Sequence, residues 1–403
     1  MRSMIVSRYK LNINTGFSNA AASLYRALKS GGEVSVVDEV KAVNLYTFSI
    51  YILYLIFKIR ITKLFFRIFL LIKFRLKVVH FLEDWNLALQ AKNLMKNNNF
   101  DLIVVETGLL PLCVISIQSK IKSDKLKTIV TPRFHATEDV ERFRYSSEGA
   151  DFIHFKFLIR KMLNKTDHIC ATNSYHLLFL KTNILKNNPY VVYDKNFHVI
   201  PNGLGKLNLM QNVREIDGLE ACSWKPINFL FCGKLSQVGI IQKGLKDLLT
   251  VFVDLHPKAE LKLKIAGTGT ELKSLRDEYQ IYSNIEFLGQ ITNDEIISQI
   301  DASDYVILPS RFEGQSIFLL ECLSRSRPLI LTEKTGSSGL VSEGNGYLVP
   351  PGNLDELRRT ILDAQDVSLH DWLVMCDRSL NVYLSSHTED KILLACRDLL
   401  RSA

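Results

Sequence analysis

The seven cysteines of this 403-residue chain include no C-x-x-C pair, and their number is odd. That pattern excludes a zinc ribbon or a complete disulfide framework. It fits thiols buried as small apolar residues in a reducing compartment. The opening stretch MRSMIVSRYKLNINTG interrupts its apolar residues with charge, so no signal peptide is expected. A more telling absence is one of acid. Between Val40 and Leu82 there is no Asp or Glu, yet there are eight bases: Lys41, Lys58, Arg60, Lys63, Arg67, Lys73, Arg75 and Lys77. The whole chain has 50 basic and 42 acidic residues, so this one segment holds the entire excess of eight.

The same segment, 42–79, is also the greasiest in the protein. Its uncharged run from Ala42 to Phe57 is too short to span a bilayer comfortably. Beyond it, Lys58, Arg60, Lys63 and Arg67 recur at steps that bring the last three onto one helical face, with Phe65, Ile68 and Phe69 elsewhere around it. A helix of that kind lies in the membrane interface, its bases on anionic lipid. The alternatives are a pair of buried helices with snorkelling lysines and, less in keeping with the length, a true span. Nucleic acid is not the expected partner, because the segment has too much aliphatic bulk for a phosphate-tracking surface.

An apolar content of 47% and a charged content of 23% describe a folded globular chain, and the length favours two domains. In the first half, MIVS, EVSVVDE, FDLIVVETG and KTIVTPRFH read as strands, with AAASLYRALKSG and WNLALQAKNLMKNNN as helices between them. The turn residues of HVIPNGLG close this half. In the second half the strands INFLFCGKL, ELKLKIAGTG, NIEFLG, DYVILPS and RPLILTE alternate with helices, one of them NDEIISQIDAS with Asn293 at its cap. Alternation of this kind predicts parallel sheets covered on both faces. The expected architecture is α/β, with two Rossmann-like doubly wound domains facing a central cleft. Residues 1–200 form the first domain and 201–370 the second, and terminal helices over 371–403 pack back on the first.

Ligands of such sheets sit outside the carboxyl ends of the strands. The stretch RFEGQSIFLLE, residues 311–321, falls at that edge. Ser316 is a plausible N-cap, and the helix after it offers free backbone N–H groups to an anion. Gly314 lets the chain approach closely. Glu313 and Glu321, beside an anion seat, are placed to accept hydrogen bonds from the vicinal hydroxyls of sugars. One anion seat between two diol readers describes a nucleotide sugar. Lys234 and Lys243, each beside a glycine (Gly233 and Gly244), supply charge for a diphosphate leaving group. In the first half, NTGFSN places Gly16 at the bend of a second anion loop, and His135 ends a strand opposite it.

The ordered run FCGKL, KG, IAGTGTE, NIEFLGQITNDEI and ASDYVILPSRFEGQSIFLLECLSRSRPLI resembles the retaining glycosyltransferases of family 4, which have the GT-B fold. The resemblance is strong from Ile200 to about Asp363 and thin over the first half. It implies that Glu313 contacts the donor sugar and Glu321 the ribose. Lys234 and Lys243 would then meet the diphosphate, with Gly233 in the same loop. Backbone amides of Gln315, Ser316, Ile317 and Phe318 would hold the β-phosphate. Gly16 would lie near it from the other domain, and His135 near the reaction centre. No cofactor or metal is implied, and no Asp-x-Asp pair occurs. Lys234 stands where arginine is usual, so a point charge replaces a bidentate grip. The Lys234–Lys243 loop is longer than is common. Gln315 and Ser316 stand where many members have Phe-Gly, and so bear on sugar identity.

The function expected from these features is transfer of a sugar from a nucleotide-diphosphate donor to a membrane-associated, polyprenyl-diphosphate-linked glycan acceptor, in making a cell-surface polysaccharide. The protein would be cytoplasmic and peripheral on the inner face of the plasma membrane. The alternatives are a nucleotide-sugar epimerase or phosphorylase of the same fold, and a catalytically silent membrane-bound scaffold.

Overall fold

A computed structural model describes residues 1–6, 16–38, 87, 89–91, 93–95, 98–106, 129–134, 166, 168–185, 196–204, 228–256, 259–342 and 344–402. Lys58, Arg60, Lys63 and Arg67, with the rest of 42–79, lie outside the described residues, as does His135.

The first sheet contains β1 (Arg2–Val6), β2 (Glu33–Val37), β3 (Leu102–Glu106), β4 (Ile129–Phe134), β5 (His168–Ala171) and β6 (Asn196–Val199), in the order β2-β1-β3-β4-β5-β6. The second contains β7 (Asn228–Cys232), β8 (Lys262–Ala266), β9 (Ile285–Gly289), β10 (Tyr305–Leu308), β11 (Leu329–Thr332) and β12 (Gly346–Val349), in the order β12-β11-β10-β7-β8-β9. All pairings are parallel. The strands show why. All residues of β3, β10 and β11 are buried, as required of strands covered by helices on both faces.

Helix α1 (Gly16–Gly31) follows β1. It begins four residues before the sequence-based start at Ala20, so Gly16 opens a helix and is not the bend of a loop. The first four N–H groups of a helix need no intrahelical acceptor, so the weak formers Gly16, Ser18 and Asn19 cost little there. Helix α2 (Ser174–Phe179) leaves β5 with Asn173 as its cap and runs into a π-helical turn, Leu180–Leu185.

In the second half, α3 (Gln237–Lys243) occupies the stretch read as a long loop. The Ser236 side chain caps it by accepting from Gly239 N at 3.3 Å. Helix α4 (Leu245–Leu255) buries Leu245, Leu248, Leu249, Phe252 and Leu255, the spacing of one helical face. After α5 (Leu272–Tyr279), helix α6 (Asn293–Ala302) is capped by Thr292, not by Asn293. Thr292 accepts from Glu295 N while the Glu295 carboxylate accepts from Thr292 N at 2.6 Å, a reciprocal box that Asn293 has no partner to form.

Helix α7 (Ile317–Ser324) follows β10, and α8 (Leu354–Gln365), α9 (Leu369–Ser386) and α10 (Glu389–Arg401) end the chain. The last two divide between the halves. Trp372, Met375, Cys376 and Tyr383 of α9 join the core of the second sheet. Ile392, Cys396 and Leu399 of α10 pack with Ile5, Leu24, Leu28 and Leu102 of the first. An ion pair between Arg26 and Glu389 at 3.0 Å ties α1 to α10 at the rim. The described cysteines form no disulfide, and Cys170, Cys322, Cys376 and Cys396 are buried.

Candidate functional site

In the second sheet the strand order reverses between β7 and β10, and the loops that leave these two strands flank the crevice. Most of the residues singled out in the second half lie on these loops or just beyond them. Gly233 and Lys234 follow β7, with Lys234 exposed. Lys243 is the last residue of α3, where its charge also favours the helix C-terminus. Gly244 then adopts φ +66°, ending α3 and opening α4 in a single residue. A Cβ on Gly244 would lie 2.1 Å from the Pro309 carbonyl oxygen, so only glycine lets this corner press against the exit of β10.

The loop after β10 is held at several points. Arg311 N donates to Gln242 O at 2.8 Å, and the Arg311 guanidinium pairs with Asp247. Gly336 N donates to Glu313 O at 2.8 Å. Ser337 Oγ donates to Gly314 O at 2.7 Å and accepts from Ser316 N at 3.2 Å. Against this frame the Glu313 side chain is 11% exposed, and its carboxylate is ion-paired with Lys243 Nζ and in reach of Ser310 Oγ at 3.4 Å. The structure therefore brings Glu313 and Lys243 into direct contact, whereas Lys234 is exposed.

Ser316 is the N-cap of α7, with φ −69° and ψ 125°, but its side chain makes no capping hydrogen bond. Its N–H is engaged by Ser337, so the first-turn amides of Ile317 and Phe318 are the ones that lead the helix toward the crevice. Glu321, in the second turn, is half-buried; its carbonyl oxygen accepts from Ser324 Oγ at 2.7 Å, and its carboxylate lies buried beside the end of β7. Burial pushes its carboxyl up to about 7. Cys232, at the end of β7, senses both Lys243 and Glu321, though burial dominates and lifts its thiol to about 11. Two carboxylates thus flank the helix mouth in different states. Glu313 is ion-paired with Lys243, and Glu321 has its carboxyl raised by burial.

The Gln315 side chain, read as a reporter of sugar identity, is engaged elsewhere. Its Oε1 accepts from Asn202 N at 2.6 Å, and its carbonyl oxygen accepts from Asn202 Nδ2 at 3.0 Å. The first half also reaches this loop through His176 of α2. A Cβ on Gly336 would lie 2.6 Å from His176 Cε1 and 2.9 Å from Glu313 O. The sequence marks Asn202 only as a turn residue of HVIPNGLG and does not mark His176, Gly336 or Ser337. The signal for the last two was their position after β11, at the same sheet edge. Asn202 and His176 carry no local signal of this role, since their contacts join the two halves.

Residues 226–366 match the family described as Glycosyl transferases group 1. A 150-residue stretch is 28% identical to the alpha-D-kanosaminyltransferase of Streptomyces kanamyceticus, covering 36% of this chain and 37% of that one. A 149-residue stretch is 27% identical to the O-antigen biosynthesis glycosyltransferase WbnH of Escherichia coli, covering 36% and 41%. The chain thus spans about a third to two fifths of the length of these curated relatives. A sucrose-phosphate synthase from Thermosynechococcus elongatus superposes over 100% of this chain and 98% of its own, with a TM-score of 0.68 at 16% identity. That likeness shows the fold: two parallel sheets flanked by helices in the GT-B arrangement.

Proposed function

We propose, from the premise that this chain belongs through residues 226–366 to the group 1 glycosyl transferases, that it moves a sugar with retention from a nucleoside-diphosphate donor to a glycan acceptor. The observation that carries the reading is the Lys243–Glu313 pair at the β7–β10 switch point, set beside the first turn of α7 and in front of Glu321.

Each part has a task in this chemistry. The amides of Ile317 and Phe318 and the positive end of α7 seat the β-phosphate. Lys243 neutralises the charge that grows there as the bond between the anomeric carbon and the phosphate oxygen breaks, and Lys234 adds a second cation at the mouth. Gly16 and Gly233 line the approach, and Gly314 allows it to be close. Glu313 accepts from hydroxyls of the transferred sugar, and Glu321 from the ribose. The acceptor hydroxyl attacks the face from which the diphosphate departs, forming the new C–O bond as the old one breaks. Its proton passes to the departing phosphate. His135, which lies outside the described residues, belongs to this reading as a sugar contact from the first domain. No step calls for a metal.

The acceptor is proposed to be a lipid-linked glycan of a cell-surface polysaccharide. The name of the O-antigen relative supports it, and so does the confinement of the basic excess to the greasy segment 42–79. Among the described residues no helix is long and apolar enough to cross a membrane. Attachment is proposed to be peripheral, on the cytoplasmic face, because the segment's uncharged run from Ala42 to Phe57 is short and is followed by closely spaced bases.

The test is incubation with a panel of nucleotide sugars, following release of free nucleoside diphosphate, alongside thermal shift with the matching diphosphates. An enzyme hydrolyses one donor slowly and is stabilised by its diphosphate. A protein that does neither is a scaffold, and the proposal falls.

A further inference from the structure

Residues 200–202 lead from the first sheet toward the second half, and they are gripped more tightly than a tether requires. Arg133 of β4 is 1% exposed. Its Nε donates to Ile200 O at 3.0 Å, and its Nη2 donates to Pro201 O at 2.9 Å and to Asn202 Oδ1 at 2.8 Å. Its Nη1 is ion-paired at 2.6 Å with Glu106, the last residue of β3 and itself 2% exposed. Asn202 is equally buried and engages every polar group it has. Oδ1 takes Arg133, while N–H and Nδ2 reach Gln315. The carbonyl oxygen accepts from His387 Nδ1 at 2.8 Å, which fixes the proton of that ring on Nδ1.

A buried ion pair is a weak source of net stability, since desolvation cancels much of its attraction. What such a pair does well is fix geometry. Here it fixes the atom that Asn202 presents to Gln315. Gln315 lies between Glu313 and Ser316, so any displacement of it moves the carboxylate and the helix mouth together.

We propose that Asn202 is a positioning residue that sets the loop from Glu313 to Phe318 against the first domain, held in register by Arg133 and Glu106. Asn202 touches no substrate. It acts through Gln315, so that the diphosphate seat takes its working shape only while the two halves hold this arrangement. The proposal rests on the reading of that loop as a donor site.

Two variants break the link from opposite sides. Asn202→Asp keeps the oxygen that Arg133 holds and removes the amide that donates to Gln315 O. Gln315→Met keeps the side-chain length and removes the acceptor for Asn202 N–H. The affinities of both, of the double variant and of the parent for UDP, GDP, ADP, CDP and dTDP are measured by calorimetry. Small-angle scattering is recorded on the same samples. Each single variant is expected to weaken the diphosphate that binds the parent at least tenfold. The double variant is expected to be no weaker than the worse single one, because both cut one connection.

Parent-like affinity in either folded variant overturns the proposal, and so do losses that multiply in the double. Should Asn202→Asp not fold, the half-buried Gln315→Met decides alone. If the parent binds none of the five diphosphates, the donor reading falls and the scattering decides. Expansion of both variants then supports a link between the halves, and unchanged profiles overturn it.

Discussion

The ammonium of Lys243, at the end of α3, is ion-paired with the Glu313 carboxylate in the loop after β10, and both side chains are mostly shielded from water. The cation proposed for the diphosphate is thus held by the carboxylate proposed for the sugar. Replacing Glu313 by glutamine frees that cation. Glu313→Gln is therefore expected to bind the nucleoside diphosphate a few-fold more tightly while losing at least tenfold in donor turnover. Lys243→Met removes the cation and leaves Glu313 unopposed beside the phosphates. Its affinity should fall by about tenfold or more, or at least ~1.4 kcal/mol. Calorimetry and donor hydrolysis on the same preparations check both directions, and a parallel fall in Glu313→Gln would count against the pairing argument.

Glu321 carries a pH dependence of known sign. Its carboxyl is raised by burial from 4.5 to about 7. Below pH 4.5 it is neutral folded and unfolded, and contributes nothing to the pH dependence. As pH rises from 4.5 to 7 the unfolded chain ionises first, so stability is lost across that window, on the order of 3 kcal/mol in all. Glu321→Gln should therefore match the parent near pH 4.5 and exceed it at pH 8 in denaturant unfolding. Ligand affinity should run the other way. Ribose hydroxyls donate to the ionised carboxylate, so the parent should gain affinity from pH 6 to 8 relative to Glu321→Gln. The difference between the two proteins cancels the ionisation of the diphosphate itself.

Gly244 joins α3 to α4 at φ +66° with no room for a Cβ beside Pro309. Gly244→Ala adds the cost of a left-handed backbone, roughly 1 kcal/mol, to a clash with a carbonyl oxygen. The exit of β10 must shift, and with it the loop that carries Glu313. We expect a clear fall in melting temperature together with loss of diphosphate affinity. A variant that melts lower but binds normally would show that the corner matters only to the fold.

The second half of the chain was largely legible because its strands are short apolar runs, buried throughout in β10 and β11, and punctuated by Gly and Asn. Five of its six strands, and the crevice edge, follow from those runs. What escaped was local in two cases and long-range in the third. Helix α3 hid in QVGIIQK, where Gly239 weakens the pattern, although Ser236 is a capping residue. At α6 both Thr292 and Asn293 are cap formers, and only the carboxylate of Glu295, three residues after Thr292, decides between them. The Asn202–Gln315 contact spans 113 residues, so no periodicity encodes it. Hence nothing local in the sequence shows that the Gln315 side chain is bonded to Asn202.

The greasy segment gives the last prediction, from its charge alone. Its eight bases face no acid between Val40 and Leu82. Each base near an anionic surface contributes roughly 1 kcal/mol, so Arg60, Lys63 and Arg67 together supply about 3 kcal/mol if they share one face. Reversing all three to glutamate should weaken sedimentation with vesicles containing phosphatidylglycerol at least a hundredfold. It should change little with vesicles of phosphatidylcholine alone, where only the apolar face contributes. Raising salt should weaken the parent far more than the variant, because the exposed charges are screened within about 10 Å at 0.1 M. Equal binding of both proteins to the anionic vesicles would place the bases on a buried rim and remove the membrane from the proposed acceptor chemistry.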